Sequence, residues 1–212
     1  MEKREAKQVL VTGATGRIGR IVVQDLLARG FYVKATSSKS VLQNIINPKL
    51  KWEQFDFIQD QDYEGLISGC DAIVHLAAEI GDINRMQRIN AFATDMLSKA
   101  AESAGTKMFC YVSTVSVYGS GKKRSMREDE TLLTVDRDIR FEYLALDYVR
   151  MYGRTKLMGE ISLKNNAKQV RYTIFRPSVV VDISDLIAIR DWSVLKRYWL
   201  LIGMLIIFMS GM

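Results

Sequence analysis

The chain has 212 residues, 48% apolar and 25% charged, with 30 Lys and Arg against 24 Asp and Glu and a formal net charge of +6. That balance suits an ordinary globular protein large enough to bury a full core, and it excludes disordered, collagen-like and disulfide-framework chains. Only Lys122-Lys123-Arg124 and Arg127 cluster, and Glu128, Asp129 and Glu130 follow at once, so the basic excess reads as a solvated loop and a complement to anionic small ligands, with no nucleic-acid surface.

Short apolar runs alternate with longer amphipathic ones. Residues 8–12 read as a buried strand, followed by a glycine turn and a helix over about 16–28 that Gly30 closes. Further strands are expected over 31–36, 51–55, 72–76, 107–112 and 171–175, and helices over 40–46, 62–68, 85–103 and about 143–167. Strands alternating with helices imply right-handed crossovers and a parallel sheet covered on both faces. The expected fold class is α/β, a doubly wound domain over residues 1–182, with 183–212 as a separate remnant ending in an apolar tail. Cys70 and Cys110 lie in apolar segments without metal-ligand spacing, so no metal site is expected. The charged start Met1-Glu2-Lys3-Arg4-Glu5 is unlike a secretory signal, and a cytoplasmic location is expected.

The turn reads Thr12-Gly13-Ala14-Thr15-Gly16-Arg17-Ile18-Gly19. Gly13 permits a tight turn after the strand, Gly16 lets backbone approach a pyrophosphate, and Gly19 lets the helix pack closely on the sheet. Backbone N–H groups at the helix start then meet phosphate with the favourable end of the helix dipole. Its place after the first strand reads as a Rossmann-type nucleotide turn, with a plain glycine-containing strand-to-helix turn as the alternative, and Thr15, Arg17 and Ile18 are further candidate cofactor contacts. An acid at the end of the second strand usually grips the ribose 2′-OH of NAD. Here the segment is Lys34-Ala35-Thr36-Ser37-Ser38-Lys39. Ser37, Ser38 and Lys39 could instead hydrogen-bond a 2′-phosphate, which favours NADP over NAD; they could also simply cap the next helix.

Far downstream stands Tyr152-Gly153-Arg154-Thr155-Lys156. Residues four apart on a helix share a face, so Tyr152 and Lys156 can point into one cleft. A phenol titrates near 10, and lowering that by about 3 units through a neighbouring ammonium corresponds to about 4 kcal/mol. Tyr152 would then exchange a hydroxyl proton during hydride transfer, while Thr114, at the end of the fifth strand, holds the substrate oxygen. Taken alone, the pair reads more readily as a partly buried helix aromatic and a surface charge; the glycine turn upstream tips the reading to catalysis.

The ordered set resembles the extended short-chain dehydrogenase/reductases, the NAD(P)-dependent epimerase/dehydratase group. It is carried by Thr12–Gly19, Asp56, His75-Leu76-Ala77-Ala78, Asn90, Ser113-Thr114-Val115-Ser116-Val117-Tyr118-Gly119, Tyr152–Lys156 and Phe175-Arg176-Pro177. The resemblance implies an adenine contact at Asp56 beside Phe57, a cofactor wall from Leu76, Ala77, Ala78 and Asn90, and a catalytic set of Thr114, Tyr152 and Lys156. Lys156 would also hold the nicotinamide ribose. His75, the only histidine, could be a general base from its position at a strand end, but the resemblance implies that it lines the cofactor site without catalysing. The implied activity is epimerase or oxidoreductase chemistry on a nucleotide-sugar or similar hydroxyl or carbonyl substrate, and a homodimer through the helices near 85–103 and 143–167.

Three departures qualify the resemblance. Sugar 4,6-dehydratases of the group carry Asp-Glu after the catalytic Thr, whereas Val115 and Ser116 follow here, which disfavours dehydration. The segment from Tyr118 to Tyr152 is longer than usual, with Phe141, Tyr143 and Tyr148 to shape a substrate pocket or a surface extension. Members also continue well past the Arg-Pro pair, so this chain is expected to be a C-terminally truncated member. Its apolar run 198–209 is shorter than the roughly 20 residues of a membrane helix. A core element cut off from its partners is the expected identity of that run, with an interfacial anchor beside Lys196-Arg197 as the alternative. Two other classes stay open: a non-catalytic NAD(P)-binding protein and a membrane-associated reductase or sterol-type dehydrogenase.

Overall fold

The computed structural model describes residues 7–39, 47–119, 127–129, 147–178 and 180. The expected helix over 40–46 and the whole of 183–212 lie outside them. Six strands form one sheet: β1 (Gln8–Thr12), β2 (Tyr32–Ser37), β3 (Leu50–Gln54), β4 (Ala72–His75), β5 (Met108–Val112) and β6 (Arg171–Phe175). Their order is β3-β2-β1-β4-β5-β6 and every pairing is parallel. This is the doubly wound order of a Rossmann fold, in which the chain reverses direction of travel between β1 and β4.

The two-residue period of β1 builds both halves of the core. Val9 and Val11 pack with Val23, Val33 and Ala35 on one face, under helix α1 (Arg17–Ala28). Leu10 points the other way, into a larger cluster with Phe55, Ile73, Leu97, Phe109 and Leu163. That second face is covered by α2 (Tyr63–Ile67), the helical run 83–103 and α5 (Asp147–Asn166). Lys34 sits in the middle of β2 yet is buried. Its ammonium reaches the end of α2, donating to the carbonyls of Leu66 at 2.8 Å and Ser68 at 3.4 Å, where the helix leaves acceptors unmatched.

The single helix expected over 85–103 is in three parts. Helix α3 (Ile83–Met86) begins after Asp82, whose carboxylate accepts from Arg85 N–H at 2.9 Å. A π-helical turn follows over Gln87–Phe92, then α4 (Ala93–Ser103). The wide turn has an identifiable set of bonds: the Asn90 carbonyl accepts from the Thr94 hydroxyl at 2.8 Å and the Tyr111 phenol at 3.3 Å. π-turns inside helices recur at functional sites, and this one faces α5. No helix among the described residues is long and apolar enough to cross a membrane, and the apolar run 198–209 lies outside them.

Candidate active site

Loops after β1 and β4 open at the reversal point of the sheet, where open α/β sheets hold ligands. Gly13 takes φ +64, and a Cβ there would lie 2.7 Å from the Ala77 amide nitrogen. A Cβ on Gly19 would lie 2.3 Å from the Gly13 carbonyl oxygen. The turn is therefore folded back against both the β4 loop and its own helix, at contact distances that only glycine allows.

Two adjoining cavities share Gly13, Gly16, Leu76 and Ala78. The first, about 270 Å³, is also lined by Thr15, Ser37, Ser38, Asp56, Phe57 and Ala77. The second, about 600 Å³, runs from Arg17, Ile18 and Gly19 to Ser113, Thr114 and Tyr152. Thr114 starts the 3-10 turn Val115–Tyr118, its hydroxyl accepting from Ser116 N–H at 3.2 Å. The phosphate turn, the Thr114 hydroxyl and the Tyr152 phenol thus meet in one continuous cleft, although 138 residues separate Ala14 from Tyr152 along the chain.

Four expected cleft residues, Asn90, Lys39, His75 and Lys156, line neither cavity. Asn90 is fully buried: its Nδ2 donates to the Glu79 carbonyl at 2.9 Å and to Thr155 Oγ1 at 3.1 Å, and its Oδ1 accepts from Glu79 N–H at 2.9 Å. With every side-chain group engaged, it clamps the β4 loop to α5 and presents nothing to the cleft. Lys39 is exposed and does not line the cavity beside Ser37 and Ser38, because the chain has already turned away through the Ser37 Oγ···Lys39 N–H bond at 3.2 Å.

His75 lies behind the wall and not along it. The Thr12 hydroxyl accepts from Leu76 N–H at 3.1 Å and Ala77 N–H at 3.2 Å, so its own proton goes to His75 Nδ1 at 2.7 Å. The ring proton must then sit on Nε2, donating to Thr94 Oγ1 at 3.1 Å. Burial, with the nearby Lys156 charge second, pulls His75 down to about 3 and keeps it neutral. A general base needs contact with the cleft, and this ring is sealed by Tyr111, Phe57 and Phe109.

Lys156 is also fully buried, its ammonium 4.1 Å from the centroid of the Tyr111 ring. Its Nζ has no hydrogen-bond partner among the described residues, and neither has Ser113 Oγ, which lines the larger cavity. Burial pulls Lys156 down to about 7, against a raising contribution from Glu160. Tyr152 moves the opposite way from the expectation: burial raises its phenol above the ordinary value. The phenol's own desolvation is the cause, and it runs against the help that a neighbouring ammonium would give in water.

Glu79 and Arg85, which the sequence motifs passed over, line the smaller cavity and pair at 3.1 Å across its rim. Glu160 and Arg176 form a buried two-bond pair at 2.9 and 2.6 Å just beyond Lys156. Only Arg176 was marked by a motif, and its partner lies 16 residues away with no spacing rule to reveal it.

The glycine cradle fits a dinucleotide because it leaves room where a Cβ would stand, and Lys156 Nζ and Ser113 Oγ, two of the four unpartnered buried polar atoms among the described residues, could take ligand hydroxyls. Comparison with known proteins agrees. The family model described as NAD dependent epimerase/dehydratase family matches residues 9–181. A dTDP-glucose 4,6-dehydratase of Streptomyces griseus is 36% identical over 141 residues, 58% of this chain and 43% of the relative. A 3 beta-hydroxysteroid dehydrogenase/Delta 5-->4-isomerase of Mycobacterium tuberculosis is 29% identical over 208 residues, 92% of this chain and 53% of the relative. Among solved structures, a UDP-glucuronic acid 4-epimerase from Bacillus cereus in complex with NAD superposes with a TM-score of 0.63 at 25% identity, covering 81% of this chain and 56% of that one. The chain spans about half the length of these relatives. With its turn, its sheet order and its matched length, it belongs to the NAD dependent epimerase/dehydratase family.

Proposed function

We propose that the chain is the dinucleotide-binding and catalytic part of an epimerase or oxidoreductase acting on a nucleotide-sugar or similar hydroxyl or carbonyl substrate. The observation that carries this reading is the convergence of Thr114 and Tyr152 on one 600 Å³ cavity, with the unpartnered Lys156 amine one helical turn behind. Gly13, Gly16 and the start of α1 would hold the pyrophosphate, and Asp56 and Phe57 the adenosine end. When bound, the dinucleotide supplies hydride acceptance and return. The chain's own residues supply the proton work. Tyr152 Oη gives or takes the substrate hydroxyl proton, the Lys156 amine donates to a ligand hydroxyl, and Thr114 Oγ1 fixes the substrate oxygen.

Ser38 and the absence of an acid at the end of β2 support NADP, while the similar Bacillus cereus structure carries NAD; parallel titrations with NADPH and NADH decide between them. A sugar-nucleotide substrate is supported by the dehydratase and epimerase relatives. The steroid enzyme matched over 92% of the chain supports a sterol-type substrate as the second reading. Exposed Phe92, Met158 and Ile161 on the helical run and α5 support a homodimer through that face. The test of the main reading is Tyr152→Phe. Turnover of a UDP-sugar or sterol panel should fall by about 100-fold or more while dinucleotide affinity is kept. Retained turnover in the variant would remove the phenol from the mechanism.

A further inference from the structure

Lys156 and Glu160 stand four residues apart on α5, and both are fully buried. That spacing brings an ammonium and a carboxylate within reach of one another, and a buried pair is far better than either charge alone. The pairing is not made. Both Glu160 oxygens accept from Arg176 instead, Oε1 from Nε at 2.9 Å and Oε2 from Nη2 at 2.6 Å. Arg176 is held in turn by the Glu128 carbonyl, 2.9 Å from Nη1, and by the Tyr118 ring, whose centroid is 4.8 Å away. A planar guanidinium occupies a carboxylate through two parallel bonds, which a lysine point charge cannot match.

We propose that Arg176 is a positioning residue: it holds the Glu160 carboxylate off Lys156 and so keeps the Lys156 amine available to a ligand hydroxyl. The proposal rests on Lys156 as a dinucleotide contact. The other titratable groups facing Lys156 are Tyr111 on β5, His75 on β4 and Tyr152 on its own helix. None is an anion near pH 7, so among the described residues Glu160 is the carboxylate placed to capture Lys156. Arg176 sits outside the cleft, on the far side of that carboxylate, and acts only through it.

Two readouts on the full chain test this. The first is the titration midpoint of Lys156 in the unliganded protein, followed by NMR of ε-13C lysine and assigned with Lys156→Met. The second is NADH affinity by fluorescence. In Arg176→Met, Glu160 turns to Lys156. The midpoint should rise by about one unit or more, and NADH should bind about tenfold more weakly, the size of one lost charge-assisted hydrogen bond. Adding Glu160→Gln should return both towards the native values, because the amide carries no charge to capture the amine. An unchanged midpoint in Arg176→Met overturns the proposal, and so does a shift that persists in the double variant, which would mark Arg176 as merely structural. Should Arg176→Met fail to fold, Arg176→Lys and the double variant carry the comparison. Arg176→Lys is expected to raise the midpoint by a smaller amount, and equal midpoints in native protein and both variants overturn the idea. Failure of the native chain to bind NADH and NADPH alike sinks the dinucleotide reading, while the midpoints still decide the role of Arg176.

Discussion

Burying Lys156 should make the native protein less stable, and replacing it should reveal by how much. Its ammonium falls from an ordinary value of 10.5 to about 7, which corresponds to about 5 kcal/mol against the charged form. The contact with the Tyr111 ring returns about 1–2 kcal/mol of that. Lys156→Met, similar in volume and apolar, should therefore stabilise the chain by about 2–4 kcal/mol at pH 7. The pH dependence fixes the sign. Because the folded value lies below the unfolded one, no penalty exists above about pH 10.5; it grows as pH falls and is complete below about 7. Between pH 7 and 9 the native protein should gain about 2 kcal/mol from this group, and the variant should not. Urea denaturation followed by circular dichroism at pH 7, 8 and 9 measures both quantities. A variant less stable than native at pH 7, or a stability gap that does not narrow by pH 9, would refute the buried, unpaired amine.

Gly159 offers a packing test, since an added Cβ would lie 2.5 Å from Tyr111 Oη and 2.6 Å from the Asn90 carbonyl oxygen. Gly159→Ala should cost about 1–3 kcal/mol in urea denaturation and reduce turnover by displacing α5; a neutral result would mean the helices cross farther apart. His75 should remain the neutral Nε2–H tautomer at pH 5 by 15N NMR, and protonation there would contradict its seal. As its folded value of about 3 lies below its unfolded 6.5, this residue costs nothing above pH 6.5 and withdraws stability as pH falls from 6.5 towards 3. In urea denaturation of the native chain at fixed pH values, a midpoint independent of pH across 4–6 would contradict this.

The fold was legible because its signals are local. Val9, Leu10 and Val11 show the period of a strand buried on both faces, and Gly13, Gly16 and Gly19 fall where a phosphate turn needs them. The Tyr152 and Lys156 spacing likewise follows from helix geometry alone. What escaped depends on contacts between distant segments. Nothing in Gln87–Phe92 announces a π-turn, and the hydroxyls that accompany it on the Asn90 carbonyl come from Thr94 and from Tyr111 on a different element. Asn90 was legible as a marked residue, yet its role as a clamp needs Thr155, 65 residues on. Charge was misjudged for the same reason: a Tyr beside a Lys predicts a depressed phenol in water, but burial of both groups decides their titration here.

The proposed function requires that the cleft between the β1 and β4 loops hold a nicotinamide dinucleotide. Fluorescence titration of the purified chain with NADPH and with NADH tests it most directly, with Gly13→Val alongside. Saturable binding to the native chain is predicted, with the signal lost in the variant, whose added Cβ would lie 2.7 Å from the Ala77 amide nitrogen. A folded native chain that binds neither nucleotide, or a variant that binds as well as native, would contradict it.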